Sequence, residues 1–306
     1  MASSYLGPES PRPLAVISEG YQKRWNLPDY HPFEKYNFGR KYEEAMIRLI
    51  HKYLELGTTD RLCYVGDITG SLAPLLRERF CLLEPMTAVI PGHVRYLTTD
   101  NSVIPVPIAH TGADEYFRLQ AAANQSISGG KPAKGMFDKV ILKDAVSSLE
   151  NPIETYQNIL GSCGPDGKLL IIHRAGNLNT LPLFRDAKQR IDETDKPYET
   201  ILKDLYACNF DVKWNIEYVP VRMAKIKWLT MMKDKFPPEM QMLSNFEIFS
   251  GVRDLSEGVL KYEGEEVEFL DRLLFITATP SFTELAYPRV QKYGANRFKP
   301  FRPLVT

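Results

Sequence analysis

The sequence has few cysteines, no net charge and no long apolar run, and each absence excludes a class of protein. Its four cysteines form no Cys-x-x-Cys pair and no short-range cluster with histidine, so no zinc site or disulfide framework is expected. Lysine plus arginine equals aspartate plus glutamate at 38 each, which argues against a broad nucleic-acid surface. No run approaches the roughly 18 apolar residues of a membrane span, so no membrane association is expected.

The composition is that of a globular protein with one large core. The 306 residues are 44% hydrophobic and 25% charged, which is ordinary for a folded domain of this size. The amino terminus lacks the charged start and apolar stretch of a secretory signal. Together with the scarce cysteines, this predicts a cytoplasmic or other reducing environment.

Three segments differ in composition. Residues 1–39 form an arm rich in proline and aromatic residues, and residues 40–280 carry the alternating pattern of a folded domain. Residues 281–306 form a tail in which basic and aromatic residues alternate. Both arms either pack on the domain or dock on a partner, and the tail's composition also suits RNA.

Short apolar runs alternate with amphipathic segments across the domain, which predicts an α/β fold with helices on a sheet. The predicted strands cover 61–65, 81–84, 104–109, 137–142, 168–173, 212–221 and 270–279. The predicted helices cover 40–56, 71–80, a segment beginning at Pro152, 183–191, 197–209 and parts of 224–257. A polar stretch at 120–135 is predicted to be a surface loop. The fold class is therefore a doubly wound, mostly parallel, seven-stranded Rossmann-like sheet in a single domain with two arms.

One strand, glycine turn and helix at 61–80 has the form of a nucleotide or anion site. Gly66 and Gly70 bound the turn, and main-chain N–H groups at the start of the helix favour negative charge. Glu84 ends the second predicted strand, where a carboxylate can accept both hydroxyls of a ribose. Two alternatives remain open: the glycines form an ordinary turn between a strand and a helix, and Glu84 is a solvated turn residue.

Several segments together resemble the class I S-adenosylmethionine-dependent methyltransferases, in particular the branch that acts on small molecules. The sequence Cys-Tyr-Val-Gly-Asp-Ile-Thr-Gly at 63–70 is similar to the family's first motif, and Leu-Leu-Glu-Pro at 82–85 to its second-strand ending. Residues 137–152 resemble the fourth-strand segment, and 164–172 the fifth strand with its preceding turn. The resemblance extends over about residues 36–280.

The resemblance implies a cofactor, a substrate class and site residues. S-adenosylmethionine is the implied cofactor, a small molecule the implied substrate, and no metal is implied. The implied cofactor-binding residues are Gly66, Asp67, Thr69, Gly70, Glu84, Asp114 and Lys143. The implied substrate-binding residues are Tyr21, Trp25, Tyr36, Arg40, Met232 and Phe236. Asp144 and His173 are candidate general bases.

Four residues depart from the family pattern. Tyr64 stands where the first motif has an acidic residue, Ile68 replaces its middle glycine, and Ser147 and Ser148 replace a histidine pair. These departures support an alternative, a catalytically silent methyltransferase-like protein whose arms bind a protein partner. A nicotinamide oxidoreductase would prefer the Gly-x-Gly-x-x-Gly motif, which the sequence lacks.

Overall fold

The computed structural model describes residues 38–66, 72–90, 106–128, 135–236 and 238–281. Within these ranges the strands are β1 (Leu62–Gly66), β2 (Thr87–Val89), β3 (Ile108–Ala109), β4 (Phe137–Lys143), β5 (Cys163–His173), β6 (Phe210–Ala224) and β7 (Glu266–Pro280). The helices are α1 (Arg40–Leu54), α2 (Leu72–Arg79), α3 (Ala113–Ser128), α4 (Pro152–Ser162), α5 (Arg185–Thr194), α6 (Tyr198–Ala207), α7 (Lys225–Lys233) and α8 (Asn245–Glu257).

The seven strands form one sheet in the order β3-β2-β1-β4-β5-β7-β6. Strands β3, β2, β1, β4 and β5 pair in parallel, and β7 inserts antiparallel between β5 and β6. The predicted fold class is therefore confirmed. The strand order reverses between β1 and β4, which makes that crevice the topological switch point of the sheet.

Helices cover both faces of the sheet, and successive strand residues alternate between two cores. On β1, Tyr64 belongs to the core under α1, α2, α5, α7 and α8. Its neighbours Cys63 and Val65 belong to the core under α3, α4 and α6. All five residues of β1 are buried, as expected of a parallel strand covered on both faces.

Strands β6 and β7 are longer than the sequence predicts and extend past the carboxyl end of β5. They pair with each other over all fifteen residues, whereas β5 pairs only with residues 274–278 of β7. We call the extension, residues 217–224 and 266–273, the ribbon. Val219, Val221 and Met223 on its inner face join the core that holds Trp228, so the ribbon is packed onto the domain.

Two predicted elements are wrong. Residues 81–84 form a turn rather than the second strand, which begins only at Thr87. Residues 120–128 continue helix α3 instead of forming a loop, because the Ala-Ala-Ala-Asn-Gln stretch favours helix without an apolar stripe. Among the described residues, no helix has the length and apolar character needed to cross a bilayer.

Replacing Gly66 by alanine is expected to destabilise the protein. Gly66 has φ of 150°, and a Cβ atom there would lie 2.5 Å from the Lys143 carbonyl oxygen on β4. The strained backbone and this contact should lower the free energy of unfolding by about 2–4 kcal/mol, measured by urea denaturation. Gly264→Ala is the matched control, since a Cβ at Gly264 meets nothing within 4 Å. Equal free energies of unfolding for the two variants would show that a Cβ at Gly66 does not clash with the Lys143 carbonyl oxygen.

Candidate functional site

The switch point brings together the carboxyl ends of β1 and β4. Gly66 pairs with Lys143 in register, and the close main-chain approach there leaves no room for a side chain on Gly66. Tyr64 is almost fully buried, and its hydroxyl lies 3.4 Å from where a Gly66 Cβ would stand. The predicted cofactor residues Asp67, Thr69 and Gly70, together with Ile68, lie outside the described residues.

The structure places Glu84 at the wrong edge of the sheet for the predicted ribose contact. Thr87, the first residue of β2, pairs with Cys63 near the start of β1, and Glu84 precedes it by three residues. The Leu83 N–H donates to the Thr58 carbonyl at 2.9 Å, also ahead of β1. Glu84 therefore lies at the amino edge, opposite Gly66. Among the described residues, buried Ile90 follows β2 at its carboxyl end and no carboxylate does.

Asp114 has a structural partner instead of facing an open crevice. Its Oδ1 accepts a hydrogen bond from the Thr155 hydroxyl at 2.5 Å, and its two oxygens accept the N–H groups of Glu150 and Asn151 at 3.3 Å. Asn151 itself makes no side-chain capping bond. The Asp114 carboxylate thus supports the amino end of α4, so this geometry does not favour the predicted contact with an adenine edge.

A buried ion pair that the sequence analysis missed lies at the carboxyl end of β5. Arg174 donates from Nε to Asp271 Oδ1 at 2.9 Å and from Nη2 to Oδ2 at 2.7 Å. Their side chains are 3% and 0% exposed. The Tyr42 hydroxyl donates to Asp271 Oδ2 at 2.8 Å. Burial and the Asp271 carboxylate raise the pKa of Tyr42 well above its usual value, so this tyrosine is a neutral donor.

Asp144, a predicted general base, belongs to the same buried region. Lys143 Nζ donates to its Oδ2 at 2.8 Å, and the Arg174 N–H donates to its Oδ1 at 3.1 Å. Burial raises the pKa of Asp144, but the charges of Lys143 and Arg174 outweigh it and hold the pKa well below its usual range. A carboxylate so stabilised in its ionised form is a poor proton acceptor. The Lys143 ammonium, predicted to hold cofactor, is likewise engaged here.

His173, the second candidate base, is buried between β5 and α5. Its Nε2 lies 3.3 Å from Asp195 Oδ2, and the same oxygen accepts the Gly176 N–H at 2.6 Å. The imidazole ring packs beside the connection that follows β5 and is almost fully buried. These contacts are typical of a residue that stabilises the fold, and the role of His173 as a base stays a prediction.

The predicted substrate contacts separate into three groups. Tyr21, Trp25 and Tyr36 lie outside the described residues. Arg40 is exposed on α1, where its Nε donates to Glu44 at 3.0 Å. Met232 is completely buried in the core, which corrects its assignment to a substrate surface, and Phe236 packs edge-to-face on Phe38.

No group of histidine, cysteine, aspartate and glutamate able to hold a metal ion occurs within the described ranges. The missed residues Tyr42, Arg174 and Asp271 are far apart in sequence. One signal was available: Asp271 lies on the same alternating face of β7 as apolar Val267 and Leu273, and a buried charge requires a partner.

Comparison with known proteins supports the fold. No family model matches the sequence, and no curated protein sequence matches it either. Among solved structures, a candidate methyltransferase of an antibiotic biosynthesis pathway from Anabaena variabilis has a TM-score of 0.51 at 15% identity, covering 78% of this chain and 100% of that one. The YcgJ protein of Bacillus subtilis has a TM-score of 0.47 at 11% identity, covering 78% and 99%.

A third similar structure belongs to a longer protein. Phosphoethanolamine N-methyltransferase 2 of Haemonchus contortus, solved with phosphomonomethylethanolamine and S-adenosylhomocysteine, has a TM-score of 0.44 at 16% identity. The match covers 78% of this chain and 53% of that one, so the chain spans about half its length. At 15% identity the match to the Anabaena variabilis structure shows the fold alone, and it agrees with the Rossmann-like strand order of the sheet.

Breaking the buried ion pair is expected to be costly. Asp271→Asn leaves the Arg174 guanidinium buried without a balancing charge, which should lower the free energy of unfolding by about 3–5 kcal/mol in urea denaturation. Glu266→Gln on the same strand is the control, because Glu266 forms an exposed pair with Arg222. A loss no greater than that of the control would show that Arg174 does not depend on Asp271.

The stability of the protein should depend on Asp144 in acid. Because its folded-state pKa is depressed, its stabilising contribution is present above the unfolded-state pKa of about 3.9 and is lost as the pH falls from there toward the folded-state value. Between about pH 5 and pH 2, the wild type should therefore lose more unfolding free energy than Asp144→Asn. Exposed Glu263→Gln is the control and should retain the wild-type profile. Parallel profiles for the wild type and Asp144→Asn would refute this prediction.

Proposed function

We propose that the chain binds S-adenosylmethionine at the carboxyl edge between β1 and β4 and transfers its methyl group to a small molecule. The observation that carries this proposal is the strand order, with Gly66 at the switch point. Ligands of open α/β sheets bind in that crevice. The fold shared with the Anabaena variabilis structure is consistent with it.

The main chain at the switch point fits such a ligand better than the nearby side chains do. Gly66 has no Cβ, and helix α2 begins at Leu72 in the described part of the chain. N–H groups at the amino end of a helix favour negative charge or oxygen acceptors. The predicted carboxylate partners do not fit. Glu84 lies at the opposite edge, and Asp114 is bound to the start of α4. Among the described residues, the carboxyl end of β2 therefore offers no carboxylate for the ribose, and Asp144 at the end of β4 is already paired.

Bound S-adenosylmethionine would supply an activated methyl group on a sulfonium sulfur. The protein's contribution to such a transfer is to position the acceptor and exclude water. Around the carboxyl end of β5, the ribbon, α7 and Phe38 already form a buried apolar layer. This role requires no strong general base, which agrees with the paired state of Asp144.

A second candidate function follows because the predicted cofactor carboxylates do not fit the crevice. The displaced Glu84, the engaged Asp114 and the buried Met232 favour a silent methyltransferase-like module. In that case the arms at 1–39 and 281–306 would bind a protein partner. The two candidates differ in whether the cofactor binds at all.

Calorimetric titration with S-adenosylmethionine and S-adenosylhomocysteine separates the candidates. We expect micromolar binding to the full chain, weakened at least about tenfold by Gly70→Val, because a side chain in the glycine turn that the sequence predicts would obstruct close approach. Glu84→Gln is the control and should bind like the wild type, since Glu84 lies at the other edge. No heat at millimolar ligand would overturn the methyltransferase proposal and favour the silent module.

A further inference from the structure

A surface cleft of about 200 Å³ lies between α1 and α2, away from the switch point. One stripe of α1, spaced at helical intervals, faces two residues of α2 one turn apart. The residues that matter for its chemistry are Arg40, Glu44, Ile47, Arg48, Leu75 and Arg79. None of them takes part in the buried ion network at the carboxyl end of β5.

Two guanidinium groups in the cleft have no partner among the residues that the structure describes. Arg40 is paired with Glu44 at 3.0 Å, so these two charges cancel. Arg48 on α1 and Arg79 on α2 make no ion pair or side-chain hydrogen bond with any other residue that the structure describes. Glu43 is the remaining carboxylate of the lining. The cleft therefore carries an excess of positive charge contributed from two helices.

The remaining lining residues of the cleft are apolar. Ile47 and Leu75 line the cleft between the charged side chains. Just beyond Arg48 and Arg79, the rings of His51 and Phe80 stack at 5.7 Å and join the two helices. A ligand here would place an anionic group between the arginines and a short carbon body on Ile47 and Leu75.

We propose that this cleft binds a small phosphate monoester. Each guanidinium is a planar fork of N–H donors that matches two phosphate oxygens, and two forks from separate helices can hold one dianion. A monocarboxylate offers only two oxygens and a single charge, so it fits one of the forks. The site is distinct from the proposed cofactor crevice and does not depend on it.

The test is a titration of the full chain with glycerol 3-phosphate in a phosphate-free buffer at low ionic strength. We expect saturable binding by calorimetry, weaker binding of inorganic phosphate because it lacks the carbon body, and at least about tenfold weaker binding of acetate. Affinity should fall as salt is added, since the arginines are exposed.

The variant Arg48→Gln with Arg79→Gln should weaken glycerol 3-phosphate binding at least about tenfold. Glutamine is a good helix former, so both helices should persist, and thermal unfolding checks this. The control is Arg118→Gln with Arg253→Gln, which removes the same charge from two exposed arginines outside the cleft. S-adenosylmethionine binding by both doubles is measured alongside and should be unchanged.

Two results would overturn the site. One is the absence of saturable binding to the wild type up to about 10 mM glycerol 3-phosphate. The other is an equal loss in both double variants, which would mean that the phosphate responds only to net charge. Loss of S-adenosylmethionine binding without loss of phosphate binding would instead bear on the proposed function alone.

Discussion

The arrangement of the carboxyl edge depends on the buried pair between Arg174 and Asp271. Isolated charges cannot be buried without a large cost, so each residue requires the other, although 97 residues separate them. Their pairing fixes the end of β5 against β7 at the point where the ribbon begins. Tyr42 and the ring of Phe38, whose centroid is 6.0 Å from the guanidinium carbon, then dock the start of α1 on the same pair.

This constraint divides the carboxyl edge into two regions. From β4 to β7 the polar groups are already paired, since Asp144 accepts from Lys143 and Arg174 while Asp271 accepts from Arg174 and Tyr42. Asp144 adopts φ of 49°, an uncommon backbone conformation that its several hydrogen bonds compensate. A ligand at this edge would therefore bind on the β1 side of the switch point, where Gly66 lies.

The sequence alone was enough to predict most of the strands of the sheet, but it did not predict the turn before β2 or the extent of α3. Buried parallel strands such as β1 and β4 consist of continuous apolar runs, which are visible without a structure. The Cys-Leu-Leu run at 81–83 has the same apolar composition but forms a turn. Composition alone does not decide which of two neighbouring apolar segments pairs with β1, so the prediction chose the wrong one. Helix α3 is polar on most of its surface, so its continuation to Ser128 lacks the periodic signal that marks α1.

The predicted role of Glu84 does not fit the structure for a related reason, which concerns position along a strand. A resemblance transfers residues by their order in the sequence, whereas a carboxylate at a parallel sheet acts only at the edge where its strand ends. Glu84 lies five residues before the end of β2, a distance of up to about 17 Å at the rise of a strand. A shift of one short strand thus moves the expected ribose partner to the opposite edge. Main-chain features tolerate such shifts better, because the N–H groups at the amino end of a helix such as α2 are present whatever side chains surround them.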